Sequence, residues 1–257
     1  MSHHINPKSV DSYLSGICNN LEGFFPEIRS ARKSPLVSRT LASCKRLFSH
    51  PARRKRALTR EDLFVVYNNL TASPSHDDHL FLSLLLTGFY ALLRLGELVW
   101  PDKIIHCSYR KLSSRTSVQW YPGAFSFWLP ASKTDWIFEG NRIIVHSQSP
   151  PNPYEPFVTY LKSRDTLFPH RAELWLREDS SVPTRAWFLQ RLHTYFPADT
   201  TGQSLRAGGA MDLASCGFPP DIIMQIGRWL SNDWRKYVRS HPVLMHTLYF
   251  SGFHSPA

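Results

Sequence analysis

Gly202-Gln-Ser-Leu-Arg-Ala-Gly-Gly-Ala210, then Pro219-Pro220, then Ile226-Gly-Arg-Trp-Leu-Ser-Asn-Asp-Trp-Arg-Lys-Tyr-Val-Arg239, reads as short helices set apart by breakers. The pattern predicts a helix from Ser204 to Ser215, stopped by Gly217. Pro219-Pro220 opens a second, Asp221 to Ile226, stopped by Gly227. Ser231 caps a third, which carries Trp234 and Tyr237.

Working upstream, Thr184 caps a helix from about Arg185 to Tyr195, and Tyr154 to Lys162 reads as another. The stretch 164–183 reads as irregular. Strand character appears in Ser117-Val-Gln-Trp-Tyr121, Phe125-Ser-Phe-Trp-Leu129 and Arg142-Ile-Ile-Val145, with Ala131-Ser-Lys-Thr-Asp135 as a connecting turn. Asp78 to Leu93 predicts a buried helix that Arg94 ends, within Ala91-Leu-Leu-Arg-Leu-Gly-Glu-Leu98. Thr59-Arg-Glu-Asp opens a helix through Leu70. Residues 9–48 read as short amphipathic helices, joined to the rest by the basic stretch Pro51-Ala-Arg-Arg-Lys-Arg-Ala57.

Hydrophobic residues make up 42% of the 257 and charged residues 19%, which excludes a disordered tail and allows a sizeable core. The formal charge of +10 is unevenly placed. Residues 1–60 hold 12 Lys and Arg against 3 Asp and Glu, so nearly all the excess lies in the first quarter. A localised basic block suits a polyanion. The four cysteines form no CxxC pair, so reduced thiols are expected. The 12 histidines include no HExxH, and no metal site is expected. Leu80 to Leu93 is interrupted and shorter than the roughly 20 residues of a membrane span. No signal peptide is read ahead of the basic block, and no Walker loop or GxGxxG suggests a nucleotide.

Four residues stand in order: Arg94 in Arg-Leu-Gly-Glu-Leu, Lys133 between two strands, Arg206 in Gln-Ser-Leu-Arg, and Tyr237, 31 residues further on. This set resembles the tyrosine recombinases of the phage-integrase superfamily, and among them the recombinases of fungal and other eukaryotic transposons of the Crypton type. The resemblance implies a mainly α fold with a small antiparallel β-sheet (α+β). It implies a catalytic domain over 58–257, a partial helical core-binding domain over 1–50, and a basic linker over 51–57.

It further implies site-specific DNA cleavage and rejoining through a covalent 3′-phosphotyrosyl link, with no metal or other cofactor. Tyr237 is then the nucleophile. Arg94 and Arg206 hold the phosphate, and Lys133 on the β-hairpin is the general acid. Glu97 keeps the site's architecture. The partner is double-stranded DNA, gripped by Lys45, Arg46, Arg53, Arg54, Lys55 and Arg56, with no membrane. A homotetramer on synapsed DNA, monomeric when free, and a nuclear address read from the basic run complete the implied picture.

The chain departs from the family at two boxes. Gln203 stands where His-x-x-Arg has histidine; it donates hydrogen bonds but exchanges no proton near neutral pH. The third box, usually His or Trp after Gly, falls on Arg228 with Trp229 next, and either one is expected to face the phosphate. Fewer than 60 residues precede the catalytic domain, room for two or three helices where the family has four or five. The segment His241 to Phe253 is read either as passed to a neighbouring subunit or as packed on its own domain. Two further readings stand beside recombination: a weakened or domesticated recombinase that binds DNA, and a relaxing activity like that of type IB topoisomerases.

Overall fold

The computed structural model describes residues 5–49, 55–70, 74–131 and 139–229. Lys133, Tyr237, Arg53, Arg54, the helix expected after Ser231 and the segment 241–253 lie outside the described residues. The chain parts into two compact units, residues 1–54 and 55–257.

The first unit holds α1 (Pro7–Leu21), α2 (Ile28–Lys33) and α3 (Pro35–Phe48). Ser34 caps α3 and Pro35 occupies its first turn, where a missing N–H costs nothing. One carboxylate ties the three helices: Asp11 of α1 accepts from Arg32 of α2 and from Lys45 of α3, both at 2.9 Å. Lys45 and Arg32 hold Asp11 below the usual carboxylate range. Much of the unit's apolar surface stays outside, including Tyr13, Phe24, Phe25, Leu36 and Leu47.

The second unit is built around α5 (His76–Tyr90), whose residues Leu80 to Phe89 are all buried. A helix apolar on every face needs cover all round. It is supplied by α4 (Arg60–Leu70), α7 (Tyr154–Leu167) and α9 (Gly202–Ser215). Ser75 and Asp78 form a reciprocal cap that starts α5. The helix ends earlier than the apolar run suggests. Leu92 takes a left-handed conformation (φ 50°); its N–H donates to Phe89 O (3.2 Å) and that of Leu93 to Gly88 O (2.9 Å). This pattern closes a helix. Arg94 therefore does not end the buried helix, but stands just before a second one, the single turn α6 (Leu95–Leu98).

The sheet runs β1 (Gln119–Tyr121), β2 (Ala124–Leu129), β3 (Asn141–His146), antiparallel and in sequence order. Phe125, Phe127 and Leu129 of β2 are fully buried, and Phe125 stacks on Phe157 of α7 at 3.8 Å. Lys133 falls in the connection from β2 to β3. The helix α7 outruns its expected end at Lys162, because Arg164 is buried with acceptors for its guanidinium. These are the carbonyls of Phe168 and Glu173 and the carboxylate of Asp165, at 2.8–3.2 Å, together with the Arg171 carbonyl. Next come α8 (Arg185–Leu192), which ends short of Tyr195, then α9 and α10 (Pro220–Gly227).

Two glycines set the approach of α9. A Cβ on Gly208 would collide with the carbonyl of Leu58, and one on Gly209 with the carbonyl of Phe89. Neither obstacle is a side chain that can turn aside. Arg60 of α4 adds a two-pronged ion pair to Asp212 of α9, at 2.6 and 2.9 Å. Gly209→Ala is expected to lower stability by about 3 kcal/mol in urea unfolding. Gly16→Ala in α1, where a Cβ would meet no other atom, should cost nothing and stabilise by up to about 1 kcal/mol.

Candidate active site

Two helix ends form the floor of the site. The first is the Leu92 turn after α5. The second follows α10, where Arg228 is left-handed (φ 53°). Its N–H donates to Gln225 O (3.1 Å), and the N–H of Trp229 to Met224 O (3.0 Å). The two turns share one hydrogen-bond pattern, and neither has glycine at its left-handed position. The expectation that Gly227 makes the stop is corrected: Gly227 is the last helical residue, and Arg228 makes the turn. Gly227 is needed for another reason, since a Cβ there would run into the indole of Trp229.

Arg206 joins the two ends. It is 3% exposed on α9; Nη1 donates to the carbonyl of Leu92, and Nη2 to that of Gly227. Its guanidinium lies 4.1 Å from the centroid of the Trp229 ring. A cation at a helix C-terminus meets the negative end of the peptide dipoles, and an indole face adds to its stabilisation.

Glu97 makes the second tie. The Arg94 backbone N–H donates to Oε2 at 2.9 Å, Arg94 Nη1 to Oε1 at 3.0 Å, and Arg228 Nη2 to Oε2 at 3.1 Å. Arg228 also reaches the carbonyls of Ile226 (3.1 Å), Leu92 (3.4 Å) and Ala91 (3.5 Å). Burial pulls the Arg228 guanidinium below the usual arginine range; Glu97 opposes this and the charge of Arg94 adds to it. Arg94 keeps 27% of its side chain exposed, against 13% for Arg228 and 5% for Glu97. Of these guanidiniums, Arg94 has the more open path to a ligand.

The structure thus brings together Arg94, Glu97, Arg206, Arg228 and Trp229. Gln203 is exposed in the first turn of α9, three residues before Arg206 and so on the same side of the helix. Its backbone N–H donates to the Thr201 hydroxyl (3.4 Å). Among the basic residues assigned to DNA, Lys45 is engaged by Asp11, and Arg56 pairs with Asp62 at 2.7 Å and lies over Phe196. Arg46 and Lys55 are exposed. Leu92 is the residue that motif reading missed. It serves through its carbonyl, and a leucine side chain carries no signal for that role. Among the described residues, no group of His, Cys, Asp and Glu could hold a metal ion, and no helix is long and apolar enough to cross a membrane.

No protein-family model matches the chain, and no curated protein matches it. Solved structures do. The post-cleavage complex of the XerH site-specific recombinase with palindromic difH substrate is 12% identical, with a TM-score of 0.57, covering 97% of this chain and 73% of that one. XerA recombinase is 13% identical with a TM-score of 0.56, covering 99% and 85%. The Tn1549 transposon integrase with circular intermediate DNA is 12% identical with a TM-score of 0.58, covering 98% and 80%. At these identities the likeness is one of fold: helices with a small three-stranded antiparallel sheet, as in the tyrosine recombinase catalytic domain.

Removing the Glu97 charge leaves two guanidiniums facing each other. Glu97→Gln should lower the urea midpoint by the equivalent of about 2–3 kcal/mol, at unchanged slope. Trp229→Ala should turn Arg206 from protected to reactive toward an arginine-selective dicarbonyl, read by peptide mass spectrometry.

Proposed function

We propose that this chain breaks and rejoins DNA strands at specific sites as a tyrosine recombinase. The observation that carries the reading is the convergence of Arg94, Arg206 and Arg228 around Glu97 and the Leu92 turn, on a fold shared with recombinases. Lys133 and Tyr237 stand at the chain positions where that family keeps its acid and its nucleophile.

In this mechanism the Tyr237 phenolic oxygen gives up its proton to solvent and attacks the scissile phosphorus. The new bond is phosphotyrosyl, and the bond to the 5′ oxygen breaks. Lys133 delivers a proton to that leaving oxygen, so it departs as a hydroxyl rather than an alkoxide. A 5′-hydroxyl of another strand later reverses the step, and no external energy source enters. Guanidiniums aimed at the non-bridging oxygens match the charge that builds in the transition state. Arg94 is the first contact, since it is the more exposed. Arg228, on Glu97, acts as a positioning residue for Arg94. Arg206 engages phosphate once Trp229 moves off its face.

Several finer readings belong to the same proposal. Residues 1–50 form a partial clamp and 51–57 a linker over the DNA backbone, ahead of a catalytic domain over 58–257. The run Arg53-Arg-Lys-Arg56 supports a nuclear address, and Gly227-Arg-Trp229 supports the Crypton-like lineage. Assembly on paired sites gives a tetramer; the λ integrase neighbour, with a TM-score of 0.52, was solved as a dimer bound to a COC′ core site.

A second reading has its own support. With Gln203 in the histidine position and Arg206 committed to carbonyls and an indole, the chain would bind DNA and cleave it poorly. One experiment separates the two. Duplexes selected by the full chain from a random pool are rebuilt with a nick beside each phosphate in turn. Recombination predicts a denaturation-resistant protein–DNA adduct, absent in Tyr237→Phe and slowed about 10²–10³-fold in Arg94→Ala. Tight selective binding without adduct supports the second reading, and an adduct that persists in Tyr237→Phe overturns the first. Neither Gln203 nor Arg228 changes charge between pH 6 and 8. Adduct formation should therefore lack an inflection near about 6.5, and Gln203→His should introduce one, with the faster limb on the acid side.

A further inference from the structure

A small cavity of about 40 Å³, partly open to solvent, lies between α6 and the segments 99–113 and 173–182. Three of its lining residues carry a buried polar atom with no hydrogen-bond partner among the described protein groups: Trp100 Nε1, Ser113 Oγ and Trp175 Nε1. Ser113 and Trp175 are each 4% exposed. An indole N–H donates and never accepts, so whatever satisfies the two tryptophans is an acceptor. Leaving such donors unmet is costly, which makes their gathering in one cavity informative.

The charges around the cavity favour an anion over water alone. Its two bordering carboxylates are already engaged. Glu173 accepts from Arg171 Nε and Nη2, each at 3.0 Å, and Glu97 accepts from Arg94 and Arg228. Lys111 and His106 complete the rim. A water needs roughly 10–15 Å³ of such space, so the cavity admits a small ion with one water and excludes a bulky organic anion.

We propose that this cavity is a binding site for a halide-sized monovalent anion, held by the two indole N–H groups, the Ser113 hydroxyl and the charge of Lys111. The anion sits behind Gly96 and Glu97, and so steadies the single helical turn that carries the carboxylate between Arg94 and Arg228. The site is separate from the phosphate-facing side and stands whether or not the chain cleaves DNA.

The test is thermal unfolding of the full chain in potassium chloride, bromide or gluconate at matched ionic strength and pH. Chloride and bromide should raise Tm over gluconate by about 3 °C, in a saturating manner. Lys111→Met, a change at an exposed position that leaves the core intact, should remove most of this increment, and Ser113→Ala should weaken it. Crystals soaked in bromide should give an anomalous peak within hydrogen-bond reach of Trp100 and Trp175. An increment that grows linearly without saturation, one that persists in both variants, or water alone in the cavity of bromide-soaked crystals overturns the proposal.

Discussion

The Arg206 guanidinium is the contact on which the site rests. It spans two helix C-termini that lie far apart in sequence, one at Leu92 and one at Gly227. Each terminus presents carbonyl oxygens without helical partners, and each turns through a non-glycine residue in the left-handed region. Such turns cost about 1 kcal/mol or more for an ordinary side chain. A buried cation that donates to the orphan carbonyls of both offsets this, and it fixes the spacing of α5, α9 and α10 at the same time. The close approach of α9 that brings Arg206 there depends on Gly208 and Gly209, which let backbone meet backbone.

Glu97 adds a second tie of a different kind. A 5% exposed carboxylate accepting from two guanidiniums is stable only because each charge in the group has an opposite neighbour. The result is a set of cations held by the fold before any ligand arrives. Preorganisation of this sort is what a site for a charged transition state requires, since the protein then has little left to rearrange. The first unit uses the same device on a smaller scale: Asp11 gathers Arg32 and Lys45, and a three-helix unit with much of its apolar surface outside is tied by charge.

Much of this was legible in the residues. The breakers Gly217 and Pro219-Pro220 between α9 and α10, the strands of the β2–β3 pair and the buried run of α5 were all readable, because capping, alternation and apolar periodicity act over a few neighbours. Errors fell at helix ends. The apolar run to Leu93 overstated α5, because nothing in a leucine announces a left-handed turn. The end of α7 is not legible in its own residues, because the acceptors of Arg164 lie on the carbonyls of Phe168, Arg171 and Glu173 rather than in the helix. Gly227 looked like a stop, and is instead the floor for an indole.

The order and spacing of Arg94, Lys133, Arg206 and Tyr237 carried the chemical expectation through their resemblance to the tyrosine recombinases, since a motif is a matter of residue types and their intervals. Which cation is free to meet a ligand could not be read that way. That Arg228 turns toward Glu97, and that Trp229 lies over Arg206, follows from where α5 and α10 end in space. Local sequence sets helices and their caps through contacts a few residues apart. The Leu92 carbonyl that both Arg206 and Arg228 reach lies 114 and 136 residues away from them, and it comes within reach only when the helices pack.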